Sequence, residues 1–126
     1  MTTKKQIALK YMDYLAKGDS EEIIKLFDKN GIVDSPIYGI MKADEFYHQL
    51  TNDTSNSELE LKGVFEENDT NKLALYFGYR WTLRNKEEVE FDVVDIIEFD
   101  SLNTIHKLKI IYDTTVARKL VNKLKK

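Results

Sequence analysis

The sequence of 126 residues has no cysteine, one proline and only two histidines, His48 and His106. Without cysteine the chain cannot form disulfides, thiolate nucleophiles, zinc–thiolate sites or iron–sulfur clusters. Two histidines are too few for a histidine-rich metal site. We therefore expect no metal and no cofactor. A chain of this length also folds without a disulfide or a metal, because it buries roughly two-thirds of its unfolded surface.

Long hydrophobic runs and a strong excess of one charge are missing as well. No apolar run reaches the roughly 20 residues that cross a bilayer. Lys4 and Lys5 have no apolar stretch behind them, so we expect no secretory signal and a cytoplasmic location. The formal net charge is −3, which disfavours nucleic acid as the main partner. The length predicts one domain over residues 1–126.

Helical patterns occupy the beginning of the chain. Apolar residues from Ile7 to Leu15 recur at spacings of three and four, which predicts an amphipathic helix that ends at Gly18. Asp19 is the expected N-cap of a second helix. Its apolar residues continue to Phe27, and the turn-forming pair Asn30-Gly31 is expected to end it.

A short strand and a third helix are expected next. Residues 32–35 form a β-type run that ends at Pro36, which cannot donate a hydrogen bond within a sheet. Apolar residues predict a helix over residues 42–50. The polar segment 51–57 resembles a loop.

The second half of the chain has the period of β-strands. Apolar and polar residues alternate in four runs that begin near residues 59, 73, 89 and 108, with turn-forming residues between them. Thr114 or Thr115 is a candidate cap for a final helix. The order of helices and strands predicts an α+β domain, in which helices pack on one face of a curved antiparallel sheet.

Asp95 interrupts an apolar strand face. Phe91 and Val93 precede it at alternate positions, and Ile97 and Phe99 follow it. A carboxylate that faces a core is costly unless it is protonated, paired or hydrogen-bonded. Burial favours the neutral acid, which donates a hydrogen bond. Asp95 is therefore either a structural aspartate that anchors a neighbouring group or a functional acid.

Several tyrosines fall on faces that point toward the same core. Tyr11 and Tyr14 lie on the first predicted helix, Tyr47 on the third, and Tyr79 and Tyr112 on strands. Each ring alone is explained by packing, with its hydroxyl at a polar partner. A shared cavity that collects several hydroxyls and one carboxyl would indicate a site instead.

At three places the sequence resembles the nuclear transport factor 2-like superfamily, and within it the ketosteroid isomerases and the SnoaL-like, polyketide-cyclase-like proteins. Residues 11–19 are similar to the first helix of the isomerases, residues 45–47 to their third helix, and residues 91–100 to the strand that carries their oxyanion aspartic acid. The order of elements matches along nearly the whole chain. The resemblance implies a cone-shaped, cystatin-like α+β barrel with an internal pocket.

The resemblance also implies a site. Tyr11 and Asp95 would be a pair of hydrogen-bond donors to an oxyanion, with Asp95 kept neutral by its apolar surroundings, and Tyr47 would support Tyr11. Such donors stabilise the charge that develops on a carbonyl oxygen. The residues expected to line the pocket are Ser35, Phe46, Tyr47, Tyr79, Trp81, Leu108, Ile110 and Tyr112.

The sequence departs from the isomerase pattern at the general base. That base is an aspartate directly before a proline, and here Ser35 precedes Pro36. A serine hydroxyl is too weak a base for this reaction. Asp34 is adjacent, but a shift of one residue turns a side chain to the other face unless a bulge intervenes. Asp34 is the candidate base that follows from such a bulge, and Asp113 is a second candidate.

Two classes of function follow. In the first, the protein is an isomerase, or a related lyase or cyclase, that acts on a small apolar carbonyl compound. In the second, it is a non-catalytic ligand-binding module or a structural dimer. The outward sheet face carries Tyr76, Val94, Ile96 and Ile111, and together with the resemblance this predicts a homodimer through the sheet.

Overall fold

A computed structural model describes residues 3–125, so the first two residues and the last residue of the predicted domain lie outside the described part. These residues form four helices and one six-stranded sheet, which confirms the predicted α+β class. The helices are α1 Lys4–Lys17, α2 Ser20–Ile24, α3 Ala43–Asp53 and α4 Thr115–Leu124. The strands are β1 Phe27–Ser35, β2 Gly39–Lys42, β3 Thr54–Glu66, β4 Lys72–Leu83, β5 Glu88–Phe99 and β6 Ile105–Ile111.

The strands follow the order β2-β1-β6-β5-β4-β3. The sheet is curved and does not close, so β2 and β3 are its edges and the cone is open along one side. All neighbouring strands are antiparallel except β1 and β6, which run parallel. The sheet is therefore antiparallel, as expected, apart from this one parallel pair. Side-chain alternation carries no information about strand direction, so the sequence pattern could not reveal this pair.

Helix α1 has well-defined ends. The Thr3 side chain accepts a hydrogen bond from the Gln6 backbone, and the Gln6 side chain accepts one from the Thr3 backbone. This reciprocal capping box satisfies two N–H groups that the helix leaves free. Gly18 follows the helix with a φ of 70°, the left-handed conformation that glycine adopts without strain. The expected end of the first helix is confirmed.

The second helix is shorter than its pattern indicated. Asp19 caps α2 as expected, but α2 ends at Ile24, and Phe27 already begins β1. The pair Asn30-Gly31 lies inside β1, at an irregularity of the pairing with β6. A Cβ on Gly31 would come within 2.8 Å of the Phe27 ring. Packing of this ring therefore replaces the turn that the local sequence favours.

The polar segment around residue 54 is a strand and not a loop. Helix α3 continues to Asp53, and β3 begins directly at Thr54. Thr54 and Ser57 pair with Leu83 and Trp81 of β4. Strand β2 was missed as well. Both strands lie at a sheet edge, where one side faces water and the apolar alternation is weak.

Buried side chains alternate along β4 and β5 as the sequence predicts, and they face helices α1 and α3 across the concave side of the sheet. On the convex side Tyr76, Val94 and Ile96 are half-buried and Ile111 is exposed. The homodimer through this face stays a prediction. In the described range 3–125 no helix is long and apolar enough to cross a membrane.

Candidate functional site

Asp95 lies in the middle of β5 with its side chain on the concave face. Its neighbours along this face are Val93 and Ile97, and the residues opposite it are Leu75 on β4 and Ile110 on β6. All of these side chains are apolar, and Asp95 itself is only 1% exposed. The tertiary structure therefore places a carboxyl group within an apolar wall.

Among the described residues, one oxygen of the buried Asp95 carboxyl is unusual. Its Oδ1 atom is buried and has no hydrogen-bond partner among the described residues. Burial raises the pKa of this carboxyl well above its ordinary value of 3.8. The neutral form thus persists at higher pH than for an exposed aspartate. In that form the group offers one proton to donate and one oxygen that accepts.

Tyr11 and Tyr47 meet beside this carboxyl. Helix α1 contributes Tyr11 and helix α3 contributes Tyr47, and their hydroxyl oxygens lie 2.7 Å apart. Burial raises the pKa of Tyr11 well above 10.0, and the nearby Tyr47 and Asp95 raise it further. Burial likewise raises the pKa of Tyr47. Both phenols are therefore neutral donors at ordinary pH.

A space of about 40 Å³, here called the inner cavity, lies beside Asp95 and Tyr11. It holds eight of the residues predicted for the site. Its lining consists of Tyr11, Leu15, Ser35, Tyr38, Phe46, Leu50, Phe77, Tyr79, Trp81, Phe91, Val93, Asp95, Ile110 and Tyr112. The wall is mainly aromatic and aliphatic. Its few polar side-chain groups are the Asp95 carboxyl, the hydroxyls of Ser35 and the tyrosines, and the ring N–H of Trp81.

Three predicted site residues do not line the inner cavity. Tyr47 is hydrogen-bonded to Tyr11 but is not part of the lining. Leu108 is completely buried between Val33 and Ile97, so it belongs to the core and does not line the inner cavity. Asp34 points away from the cavity that Ser35 lines. The pairing of β1 with β2 is regular from residue 32 to residue 35, so no bulge turns Asp34 inward. The geometry therefore gives no support to Asp34 as a base.

Ser35 has a structural contact in addition to its place in the cavity wall. Its Oγ accepts hydrogen bonds from the backbone N–H groups of Ile37 and Tyr38, at 3.2 and 3.1 Å. These bonds hold the turn at Pro36 and direct the Tyr38 side chain back along the cavity. The serine at the position of the isomerase base is thus a hydrogen-bond acceptor of this turn.

Asp113, the second candidate base, is an exposed residue in front of α4. It accepts hydrogen bonds from the Thr115 backbone N–H and hydroxyl, at 3.0 and 2.7 Å. These bonds lower the pKa of its carboxyl. This carboxylate stabilises the turn that precedes α4, and it does not line the inner cavity.

Tyr38 is a site residue that sequence reasoning missed. Its hydroxyl donates to Oδ2 of Asp53 at 2.7 Å, and Gln49 donates to the same atom at 3.2 Å. Burial and this bond raise the pKa of Tyr38 above its usual range. The ring is thereby fixed against Phe46, with ring centroids 5.7 Å apart. The one feature of the sequence that could have indicated Tyr38 as a site residue is its position two residues after Pro36.

A second depression, here called the outer groove, lies beside the inner cavity and has a volume of about 260 Å³. Leu15, Leu50 and Tyr79 line both spaces. The remaining lining residues of the outer groove are Ala16, Lys17, Gly18, Ile23, Tyr47, Thr51, Thr54, Ser55, Asn56 and Ser57. The groove is therefore much more polar than the inner cavity. Within residues 3–125 no cluster of three histidine or acidic side chains is placed to hold a metal ion.

Comparison with known proteins identifies the fold but no close relative. No family model matches the chain, and no curated protein does. An epoxide hydrolase/cyclase-like enzyme, SalBIII, with a role in pyran ring formation in the polyether salinomycin, is 16% identical with a TM-score of 0.77, over 89% of this chain and 92% of its own. A protein from Shewanella putrefaciens assigned as a SnoaL-like polyketide cyclase is 14% identical with a TM-score of 0.73, over 98% and 88%.

A protein from Cytophaga hutchinsonii, described as nuclear transport factor 2-like and of unknown function, is 17% identical with a TM-score of 0.70, over 96% of both chains. At such identities a likeness shows the fold and not the activity. The sequence resemblance to these proteins is thereby confirmed at the level of architecture. The chain has the α+β cone fold shared by the nuclear transport factor 2-like and SnoaL-like proteins.

Proposed function

We propose that the protein binds a small, mainly apolar molecule and holds one oxygen atom of it between Asp95 and Tyr11. The observation that carries this proposal is the buried Oδ1 of Asp95, which has no partner among the described residues and lies in a mainly apolar cavity. A buried polar atom without a partner costs about 1–3 kcal/mol. A ligand oxygen that meets the carboxyl would remove this cost.

The Asp95 carboxyl and the Tyr11 hydroxyl can both donate a hydrogen bond, so they favour a ligand oxygen that carries negative charge. Neutral Asp95 has a proton to donate. Tyr11 has one as well when Tyr47 donates to it, because each hydroxyl carries a single proton. In a cavity with few other polar groups, two such donors stabilise a carbonyl, enol or phenol oxygen strongly. The expected ligand class is therefore a small carbonyl compound or phenol.

Binding without turnover is the function that the site supports best. The titratable groups in the cavity wall are Asp95 and tyrosines, and burial raises the pKa of Tyr79 to about 12. With serine at position 35, this wall holds no second carboxylate. A reaction that needs a separate strong base beside an oxyanion site lacks that base here.

A second candidate function needs only one carboxyl. In the cyclisation of an epoxy alcohol, the Asp95 proton passes to the epoxide oxygen as its C–O bond breaks. The substrate hydroxyl forms the new C–O bond, and its proton returns to Asp95, so atoms and charge balance. The neutral, unpartnered carboxyl favours this candidate, and the likeness to an epoxide hydrolase/cyclase-like enzyme supports it.

The test of binding uses 4-nitrophenol, whose phenolate absorbs visible light. We expect the bound probe to be ionised to a greater extent than the free probe at the same pH. Tyr11→Phe and Asp95→Asn should each weaken this effect by about tenfold, while the matched variant Tyr14→Phe should not. If 4-nitrophenol does not bind, or binds equally to the wild type and Asp95→Asn, the proposal is wrong.

The test of cyclisation uses a panel of short epoxy alcohols, with ring formation followed by nuclear magnetic resonance. We expect turnover by the wild type to be lost in Asp95→Asn if this candidate is correct. An absence of turnover together with ionised 4-nitrophenol in the cavity would leave binding as the function. Turnover that survives in Asp95→Asn would exclude Asp95 as the proton donor.

A further inference from the structure

The inner cavity by itself is too small for an organic ligand. Its volume of about 40 Å³ corresponds to about three water molecules, since each water needs roughly 10–15 Å³ of such space. A ligand that reaches Asp95 must therefore displace part of the wall and extend into neighbouring space. The outer groove, with about 260 Å³, lies directly behind that wall.

The wall between the two spaces consists of Leu15, Leu50 and Tyr79, which line both. Leu15 and Leu50 come from the C-terminal parts of α1 and α3, and their side chains are apolar and unbranched at Cβ. The Tyr79 hydroxyl is bonded to Ser57 Oγ at 2.8 Å, on the side of the outer groove. Small rotations of these side chains would join the two spaces into one continuous site.

The polar groups of the outer groove have spare hydrogen-bonding capacity. The side chains of Thr51, Ser55 and Asn56 are exposed and have no hydrogen bond to other described residues. Strand β3 is a sheet edge, and its pairing with β4 is irregular between Thr54 and Asn56, so backbone groups there are also available. This surface matches a partner that both donates and accepts hydrogen bonds.

The charge of the outer groove favours a neutral ligand. Lys17 is its one basic residue, and its ammonium group lies 2.9 Å from Oδ2 of Asp13. The positive charge is therefore compensated within the protein, and the remaining lining carries hydroxyl and amide groups. Hydroxyl groups fit this lining better than a carboxylate or a phosphate does.

On the basis of the proposed function, we infer that the outer groove is a second subsite and that the ligand is amphipathic. Its apolar head carries the oxygen that meets Asp95 in the inner cavity. Its tail passes between Leu50 and Tyr79 and places neutral hydroxyl groups against Thr51, Ser55 and Asn56. The inner cavity selects for the head, and the outer groove selects for a hydroxylated tail.

The experiment compares two phenols of equal length by isothermal titration calorimetry. The head is the same in 4-propoxyphenol and 4-(2,3-dihydroxypropoxy)phenol, and only the second has hydroxyl groups on its tail. We expect the dihydroxy compound to bind about tenfold more tightly, the effect of one or two net hydrogen bonds. In Asn56→Ala this advantage should shrink to about threefold or less. The exposed Asn52, which does not line the groove, provides the control Asn52→Ala, in which the advantage should stay unchanged.

The outcomes separate this inference from the proposed function. If both phenols bind with equal affinity, or the propoxy compound binds more tightly, the polar subsite is refuted while binding at Asp95 stands. If neither phenol and no 4-nitrophenol binds, both proposals fall. An advantage that survives in Asn56→Ala and in Thr51→Val would show that the tail lies elsewhere and would overturn the subsite. Thermal unfolding of each variant verifies that it is folded.

Discussion

The hydroxyl oxygen of Tyr11 lies 2.7 Å from that of Tyr47, so the two helices α1 and α3 share one buried hydrogen bond beneath the cavity. Their rings also make an edge-to-face contact, with centroids 6.1 Å apart. Only one of the two protons can lie between the oxygens. When Tyr47 is the donor, Tyr11 presents its own proton to the cavity, which makes Tyr47 a positioning residue for Tyr11.

The Tyr47→Phe variant tests the energy of this bond. Without the partner, the Tyr11 hydroxyl stays buried and unsatisfied, so we expect the free energy of unfolding to fall by about 1–3 kcal/mol. Urea denaturation measures this change in the free energy of unfolding. Tyr14→Phe is the control, because Tyr14 lies half-buried on α1, the helix that carries Tyr11, and a change within about 0.5 kcal/mol is expected there. Equal effects in both variants would contradict a strong Tyr11–Tyr47 bond.

Replacement of Asp95 by leucine should separate stability from function. Leucine has the same number of side-chain heavy atoms and fits the apolar surroundings of Val93, Ile97 and Leu75. Because a buried atom without a partner is removed, we expect the free energy of unfolding to rise by about 1–3 kcal/mol. Binding of 4-nitrophenol should be lost at the same time. A destabilised Asp95→Leu protein would indicate that Asp95 has a structural role instead.

The contribution of Asp95 to the stability of the protein should fall as the pH rises above about 4. Burial raises the pKa of Asp95 in the folded chain, whereas the unfolded chain loses this proton near its ordinary pKa of 3.8. Between pH 3.8 and the pKa of Asp95 in the folded chain, the folded state binds more protons than the unfolded state. The contribution of Asp95 to the free energy of unfolding therefore decreases by about 1.4 kcal/mol per pH unit. It levels off above the folded pKa.

Urea denaturation of the wild type and of Asp95→Asn between pH 4 and pH 8 measures this contribution by difference. The asparagine variant cannot ionise at this position, so the wild type should lose stability relative to this variant as the pH rises. Other titrating groups cancel in the comparison. Parallel curves would mean that Asp95 titrates at an ordinary pKa and that the cavity is more solvated than its burial indicates.

Ser35→Asp should install the base that the cavity lacks. A carboxylate at this position can accept the same two backbone N–H bonds from Ile37 and Tyr38, which favour its ionised form. We expect isomerisation of 3-cyclohexen-1-one to its conjugated isomer, followed by absorbance, to increase roughly 100-fold. Ser101→Asp adds the same charge on an exposed turn and is the control. Equal rates in the two variants would argue against a working oxyanion site.

The local sequence pattern was sufficient to predict a strand and its inward side chains wherever one face of a long strand is buried. The alternation in β4 and β5 predicted their inward side chains, and it singled out Asp95 as the one carboxyl among them. It failed at Phe27 and Thr54. At Phe27 the strong helical pattern is overridden by ring packing on Gly31 and Tyr47, and at Thr54 an edge strand is nearly as polar as a loop.

Composition and periodicity by themselves determined the fold class, the absence of thiol chemistry and the presence of an acid in an apolar strand face, because these depend on residue type and on spacing within one element. Tertiary structure alone decided the rest. Tyr11 and Tyr47 are 36 positions apart, and only the packing of α1 on α3 brings their hydroxyls together. The parallel alignment of β1 with β6 and the outward direction of Asp34 depend on long-range pairing. No local pattern records such pairing, because strand neighbours are chosen by the packing of the whole sheet.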